Sequence, residues 1–168
     1  MYQRRIEKCT ISKPPLFILG HYRSGTTYLQ RLLAQDKQFG YQTIFDSGLP
    51  ELMLGFEGLL KPLLSAVTRL AGAENKFHKV PFTWDFPGEE DVALTAFSFK
   101  DAAHWGVLYP DKYPAYYKRY IQFSGPDNDA LAWEKNYHYF LKKLFIKNRY
   151  RRLILKSPPN STPFVPAV

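Results

Sequence analysis

Four apolar residues, Leu16-Phe17-Ile18-Leu19, stop at Gly20 and pass into the hydroxyl-rich stretch His21-Tyr22-Arg23-Ser24-Gly25-Thr26-Thr27. Leu29, Leu32 and Leu33 then follow at helical spacing. A short, continuously apolar run between Pro14-Pro15 and a glycine reads as a strand buried on both faces, the kind a parallel sheet holds. Strand, glycine-bearing turn and helix, in that order, bring free backbone N–H groups and the positive end of a helix dipole to one point. The order predicts an α/β fold with a parallel sheet flanked by helices.

Such a turn suits a phosphate or sulfate group, which needs several donors converging without bulk in the way. Gly25 lets the backbone come close, Ser24, Thr26 and Thr27 each add a hydroxyl, and Arg23 adds a forked cation. Each charge-assisted hydrogen bond to an anion contributes about 1.5–3 kcal/mol. A Ser-Gly-Thr-Thr sequence by itself can also simply cap a helix; the preceding strand, Arg23 and the leucine spacing favour an anion. Gly20 and Gly25 have the spacing of the G-x-x-x-x-G-K-[ST] phosphate loop, but Thr26 stands at the lysine position. That counts against a nucleotide kinase or NTPase, which sets its lysine against the β- and γ-phosphates.

Along the rest of the chain, Leu52, Phe56, Leu59, Leu63, Val67 and Leu70 predict one or two helices, with Pro50 near the start and Pro62 as a break or kink. Residues 75–88 read as loop. Glu89-Glu90-Asp91 open a helix running toward Phe99, and a short helix is expected near Tyr116 to Ile121. Ser124-Gly125-Pro126-Asp127 reads as a turn. Trp133, Tyr137, Phe140, Leu141, Leu144 and Phe145 form a helical stripe, and Leu153-Ile154-Leu155 is a second buried strand. Seven basic residues (Lys142, Lys143, Lys147, Arg149, Arg151, Arg152, Lys156) and no acidic one lie between 142 and 156, a run read as a solvated helix end. Pro158 to Val168 carries four prolines and no periodicity.

A hydrophobic fraction of 45% over 168 residues argues for a packed domain rather than disorder. The net charge of +8 suits an anionic partner, whether nucleic acid, membrane surface or small polyanion. Cys9, the sole cysteine, cannot form an internal disulfide and reads as a spare terminal thiol, so a reducing compartment and a cytoplasmic protein are expected. No stretch suggests a membrane span or a signal peptide.

The segment Pro15 to Thr27 resembles the 5′-phosphosulfate loop of sulfotransferases that use 3′-phosphoadenosine 5′-phosphosulfate (PAPS). It is most similar to the bacterial-type family, whose loop reads P-R-S-G-T-T; Tyr22 stands where proline is usual. Pro87-Gly88-Glu89-Glu90-Asp91-Val92-Ala93-Leu94 is similar to the family's P-x-E-D-E-x-A-L stretch. Trp105 to Tyr120 resembles its tyrosine-rich middle, and Leu153 to Pro158 its L-L-K-S-P strand end.

The resemblance implies a P-loop-like fold and sulfuryl transfer from PAPS to a hydroxyl or amine, without metal. It implies donor binding by Arg23, Ser24, Gly25, Thr26, Thr27 and Tyr28, with Arg23 and Lys156 stabilising developing charge. For the base, Asp46 stands about where the family places a glutamate, with His78 and His104 as alternatives; Asn160 occupies the place of a frequent histidine. The expected acceptor is a small molecule, carbohydrate, lipid or peptide, with no nucleic-acid partner. The expected organisation is one domain over 1–168, truncated before the R-x-P-type segment that binds the donor's 3′-phosphate. Two other classes stay open from the residues: a P-loop kinase or NTPase, and a basic nucleic-acid-binding module built on Lys142 to Lys156.

Overall fold

The computed structural model of the protein describes residues 2–21, 23–72, 74–75, 80–98, 105, 108–124 and 129–157. Its centre is a parallel sheet of β1 (Leu16–Phe17), β2 (Phe39–Tyr41) and β5 (Arg152–Leu155), in the order β1-β5-β2. Leu16 pairs with Ile154, and Tyr41 pairs with Ile154 from the other side. The Ile18 amide donates to the Leu155 carbonyl at 2.9 Å and carries the β1 pairing one residue further. Leu153, Ile154 and Leu155 are fully buried, as a strand covered on both faces must be. The fold is α/β. Because the strands run parallel, the loop after β1 and the Lys156-Ser157 end of β5 emerge on the same side, where open α/β sheets place their ligands.

The sequence reading had no strand at β2, because three residues centred on Gly40 leave no apolar run to see. A side chain far along the chain makes it. Asn148 donates Nδ2 to the Tyr41 carbonyl and accepts the Tyr41 amide at Oδ1, both at 3.2 Å.

The core lies between this sheet and the helices. From α7 (Asp129–Lys147), Phe140, Leu144 and Phe145 are fully buried against Leu153 and Leu155. The helix α1 (Tyr2–Lys8), unforeseen in the sequence, adds Ile6 to the same cluster. Cys9 joins it too, so this thiol is core packing rather than spare, and burial pushes it up from the usual thiol range. Residues Ala93 and Leu94 of α5 (Glu90–Ser98) are buried, and α5 packs between α3 (Ile44–Gly48) and α7. That α5 starts at Glu90 matches its acidic opening.

Several expectations are corrected. The helix α4 (Glu57–Leu70) continues across Pro62, at its sixth residue. A proline this early removes a single rung, and the Lys61–Glu57 pair at 2.9 Å ties the turn together. The stretch 75–88, expected to be loop, holds Asn75 of β3 (Glu74–Asn75) and all of β4 (Val80–Pro81), which pair antiparallel. The short helix expected near Tyr116 to Ile121 is present as α6 (Tyr113–Tyr120), preceded by a tight turn at Pro110–Lys112. The basic run is not simply solvated: Lys143, Lys147 and Lys156 are withdrawn from solvent and ion-paired to Glu51, Asp46 and Glu89. Burying a lysine is costly unless an acid meets it, and each has one. Among the described residues no helix is long and apolar enough to cross a membrane. His78, His104, Asn160, most of the expected 124–127 turn and the 158–168 tail lie outside the described residues.

Candidate functional site

The turn between β1 and α2 (Thr26–Leu33) is shaped by its own short residues. The Ser24 amide and hydroxyl both donate to the His21 carbonyl, at 3.2 and 2.6 Å. Arg23 and Gly25 adopt left-handed φ values of 65° and 86°, and such reversals curl successive N–H groups around a concavity. Gly25 takes this conformation at no steric cost. Gly20 is required for a different reason: a Cβ there would lie 2.6 Å from Thr26 Cγ2 and 2.9 Å from Ser24 Oγ. The turn folds back onto the position where the strand ends.

Gly25 begins α2 with no side-chain cap, and the first rung is Leu29 N to Gly25 O at 3.1 Å. The amides of Thr26, Thr27 and Tyr28 precede that rung and have no intrahelical acceptor. Three donors and the helix dipole thus meet at a surface where Arg23, Ser24, Gly25 and Tyr28 are exposed. The leucine spacing of α2 is real, but the leucines do not supply its buried face. Leu29 and Leu32 are exposed, while Gln30 is 1% exposed and points into the protein.

Lys156 enters from the end of the central strand. Its side chain is 2% exposed, and Nζ donates to Thr27 Oγ1 at 3.3 Å and to the Glu89 carboxylate. A cation and the uncapped helix start therefore sit together. Glu89 was read in the sequence only as an acid opening a helix, and its contact with Lys156 was missed. The signal was present in two matching segments, Pro87–Leu94 and Leu153–Pro158, which nothing in the residues alone brings together.

Buried glutamines hold the Glu89 backbone. Gln30 Nε2 donates to the Gly88 carbonyl at 3.2 Å; Gln42 Nε2 donates to the Glu89 carbonyl at 2.6 Å and to Ser47 Oγ at 2.5 Å. The Gly88 amide returns a bond to the Gln42 carbonyl at 2.9 Å. Beyond Glu89, Glu90 is fully buried with Oε2 unpartnered among the described residues. Burial pushes its carboxyl up to about 8; Asp91 and Glu89 add to the rise, and Lys156 opposes it.

Asp46 sits in a closed arrangement. Its Oδ2 accepts the Thr43 amide at 2.9 Å and the Thr43 hydroxyl at 2.8 Å, closing a capping box at the start of α3. Its Oδ1 accepts Lys147 Nζ at 2.5 Å, and Lys147 also reaches Glu57 at 2.9 Å. Asp46 is fully buried, and burial pushes its carboxyl above the usual aspartate range despite Lys147 and the Thr43 bonds. The structure thus brings Thr27 and Lys156 together and gives Asp46 partners of its own. A separate hollow of about 490 Å³ runs along Leu131, Tyr137, His138 and Leu141 of α7. Among the described residues no three His, Cys, Asp or Glu side chains gather as metal ligands.

Comparison with known proteins adds to this geometry. The model of a family described as the sulfotransferase family matches residues 14–164. The chain is 24% identical over 168 residues to the omega-hydroxy-beta-dihydromenaquinone-9 sulfotransferases Stf3 of Mycobacterium bovis and Mycobacterium tuberculosis. The match takes in 96% of this chain and 40% of each relative, so the chain spans about two-fifths of their length. No solved structure matches. With a glycine-bearing turn between strand and helix, a lysine at the strand end and a family match over nearly its whole length, the chain belongs to the sulfotransferase family.

Proposed function

We propose that this chain handles the 5′ end of 3′-phosphoadenosine 5′-phosphosulfate and takes part in moving its sulfuryl group to an acceptor hydroxyl or amine. The observation that carries the reading is Lys156 Nζ standing 3.3 Å from Thr27 Oγ1, at the uncapped start of α2. In this reading the Thr26, Thr27 and Tyr28 amides, the Ser24, Thr26 and Thr27 hydroxyls and the Gly25 turn cradle the phosphosulfate. As the S–O bond to phosphate breaks, negative charge grows on the leaving 5′-phosphate and on the sulfuryl oxygens. Arg23 and Lys156 meet that charge, in a surrounding where Lys156 is shielded from water. No metal is assigned a part.

Asp46 enters the proposal as an anchor, because both its oxygens are engaged in tying α3 to α7. The acceptor class we put first is a hydroxyl on an apolar carrier. Two facts support it: the relatives are named for an omega-hydroxy menaquinone, and Tyr28, Leu29 and Leu32 stand exposed beside the loop. A cytoplasmic setting is part of the proposal, on the strength of the unpaired Cys9.

A titration with 3′-phosphoadenosine 5′-phosphate, ATP–magnesium and an oligonucleotide tests the reading. The nucleotide bisphosphate is expected to bind without metal, and Arg23→Ala and Lys156→Ala each to weaken it about 10- to 100-fold, one charge-assisted bond's worth. Binding of ATP–magnesium alone, or of the oligonucleotide alone, refutes it.

A further inference from the structure

Among the described residues, Glu89 is the carboxylate that touches a cation of the loop site. Only its Oε1 is engaged, by Lys156; Oε2 has no partner among the described residues. Its side chain is 35% exposed, open enough for an incoming molecule to reach. Its position is fixed from behind by the Gln42 bond to its own carbonyl, the Gln30 bond to the carbonyl before it, and the Gly88 amide. Gln30 belongs to the same helix that opens with Thr26 and Thr27. One side chain thus couples the anion loop to the placement of this carboxylate.

A sulfuryl transfer needs a carboxylate or similar group that is ionised, reachable and rigidly held near the reacting atoms. Asp46 is fully buried with both oxygens occupied, and Glu90 is fully buried. Resting on the sulfuryl-transfer reading above, we infer that Glu89 is the proton acceptor of the reaction. The acceptor's hydroxyl oxygen forms the new bond to sulfur while its proton passes to Glu89 Oε2. The sulfur–oxygen bond to the 5′-phosphate breaks, and its electron pair stays on the phosphate oxygen, beside Lys156. The products are a sulfate ester, 3′-phosphoadenosine 5′-phosphate and a protonated Glu89, which returns the proton to water. Lys156 then has two tasks, to hold Glu89 in place and to stabilise the leaving oxygen; an ammonium with three N–H donors can serve Thr27, Glu89 and the donor at once.

The test uses the chain carrying Glu89→Gln and, separately, Glu89→Ala. Each is titrated with 3′-phosphoadenosine 5′-phosphate. Sulfuryl release from radiolabelled donor is followed with water, a prenyl alcohol, a phenol and a monosaccharide as acceptors. Nucleotide affinity is expected to stay within about threefold, which also shows that the variants fold. Turnover is expected to fall about 100-fold or more, and added formate to restore at least about tenfold of it to Glu89→Ala but not to Lys156→Ala. Turnover near wild type in Glu89→Gln overturns the assignment. So does a tenfold or greater loss of nucleotide affinity, which makes Glu89 a positioning residue for Lys156. A wild-type chain that binds nucleotide yet transfers to none of the four acceptors overturns it as well. Failure of the wild-type chain to bind the nucleotide refutes the sulfotransferase site itself, and this assignment with it.

Discussion

Replacing Glu90 by glutamine should remove a large part of the pH dependence of folding. The side chain is fully buried at the start of α5, with Glu89 and Asp91 beside it, Lys156 nearby and Tyr137 feeling its charge. Its carboxyl is pushed from 4.5 up to about 8, above all by burial. The folded state therefore binds this proton more tightly than the unfolded chain does. Its stabilising contribution is complete below about pH 4.5 and is lost as pH rises toward 8. Each pH unit inside that window carries about 1.4 kcal/mol, so the whole window carries about 5 kcal/mol, comparable with the total stability of a small domain. Urea unfolding of wild type and Glu90→Gln at pH 5.5, 6.5 and 7.5 isolates the effect, because other titrating groups cancel in the difference. Relative to the variant, wild type should lose about 3 kcal/mol across those two units. An infrared band of a protonated carboxylic acid at pH 6.5, absent from the variant, supports the same point independently. A difference that stays flat within about 0.5 kcal/mol, with no such band, refutes the reasoning.

Other changes follow from the same geometry. Gly20→Ala forces a Cβ against Thr26 and Ser24, and should weaken 3′-phosphoadenosine 5′-phosphate binding by tenfold or more while circular dichroism stays native; unchanged affinity contradicts the loop geometry. Asp46→Ala breaks a capping box and a buried ion pair, and should cost about 3 kcal/mol in denaturant unfolding, with nucleotide affinity kept within about threefold. An affinity loss well beyond that places Asp46 in the site instead. Lys143 is 2% exposed and its partner Glu51 is 65% exposed, with the Phe97 and Tyr139 rings against the ammonium. Lys143→Met keeps the packing and leaves Glu51 in water, so stability should change by less than about 1 kcal/mol; a loss above 3 kcal/mol refutes this.

What the sequence made legible was local. The Leu16 run, the Gly20–Thr27 turn and the following helix are contiguous, and each residue states its own part: apolar, conformationally free, hydroxyl-bearing. Leu153–Leu155 was visible for the same reason, an apolar run ended by Lys156-Ser157 and two prolines. What stayed hidden depends on residues distant in the chain. The strand at Phe39–Tyr41 exists because Asn148, over a hundred residues later, closes on Tyr41. Lys147 and Lys143 look like a cationic surface until Asp46 and Glu51 are seen across from them. Spacing at three and four placed Leu29 and Leu32 on one helical face, yet periodicity cannot say which face turns inward, and here a glutamine does. The Glu89–Lys156 contact joins two segments 67 residues apart. Sequence position pointed to Asp46 as a candidate base, and no pattern could announce its burial.

The central claim is that the amides opening α2 receive the 5′ end of the donor nucleotide. Two-dimensional amide spectra of the nitrogen-labelled chain, recorded as 3′-phosphoadenosine 5′-phosphate is added without metal, address it residue by residue. The account predicts that the Thr26, Thr27 and Tyr28 amides shift furthest and saturate together, and that Lys156→Ala reduces the shifts at equal ligand concentration. Saturable binding that leaves those three amides unmoved would contradict it.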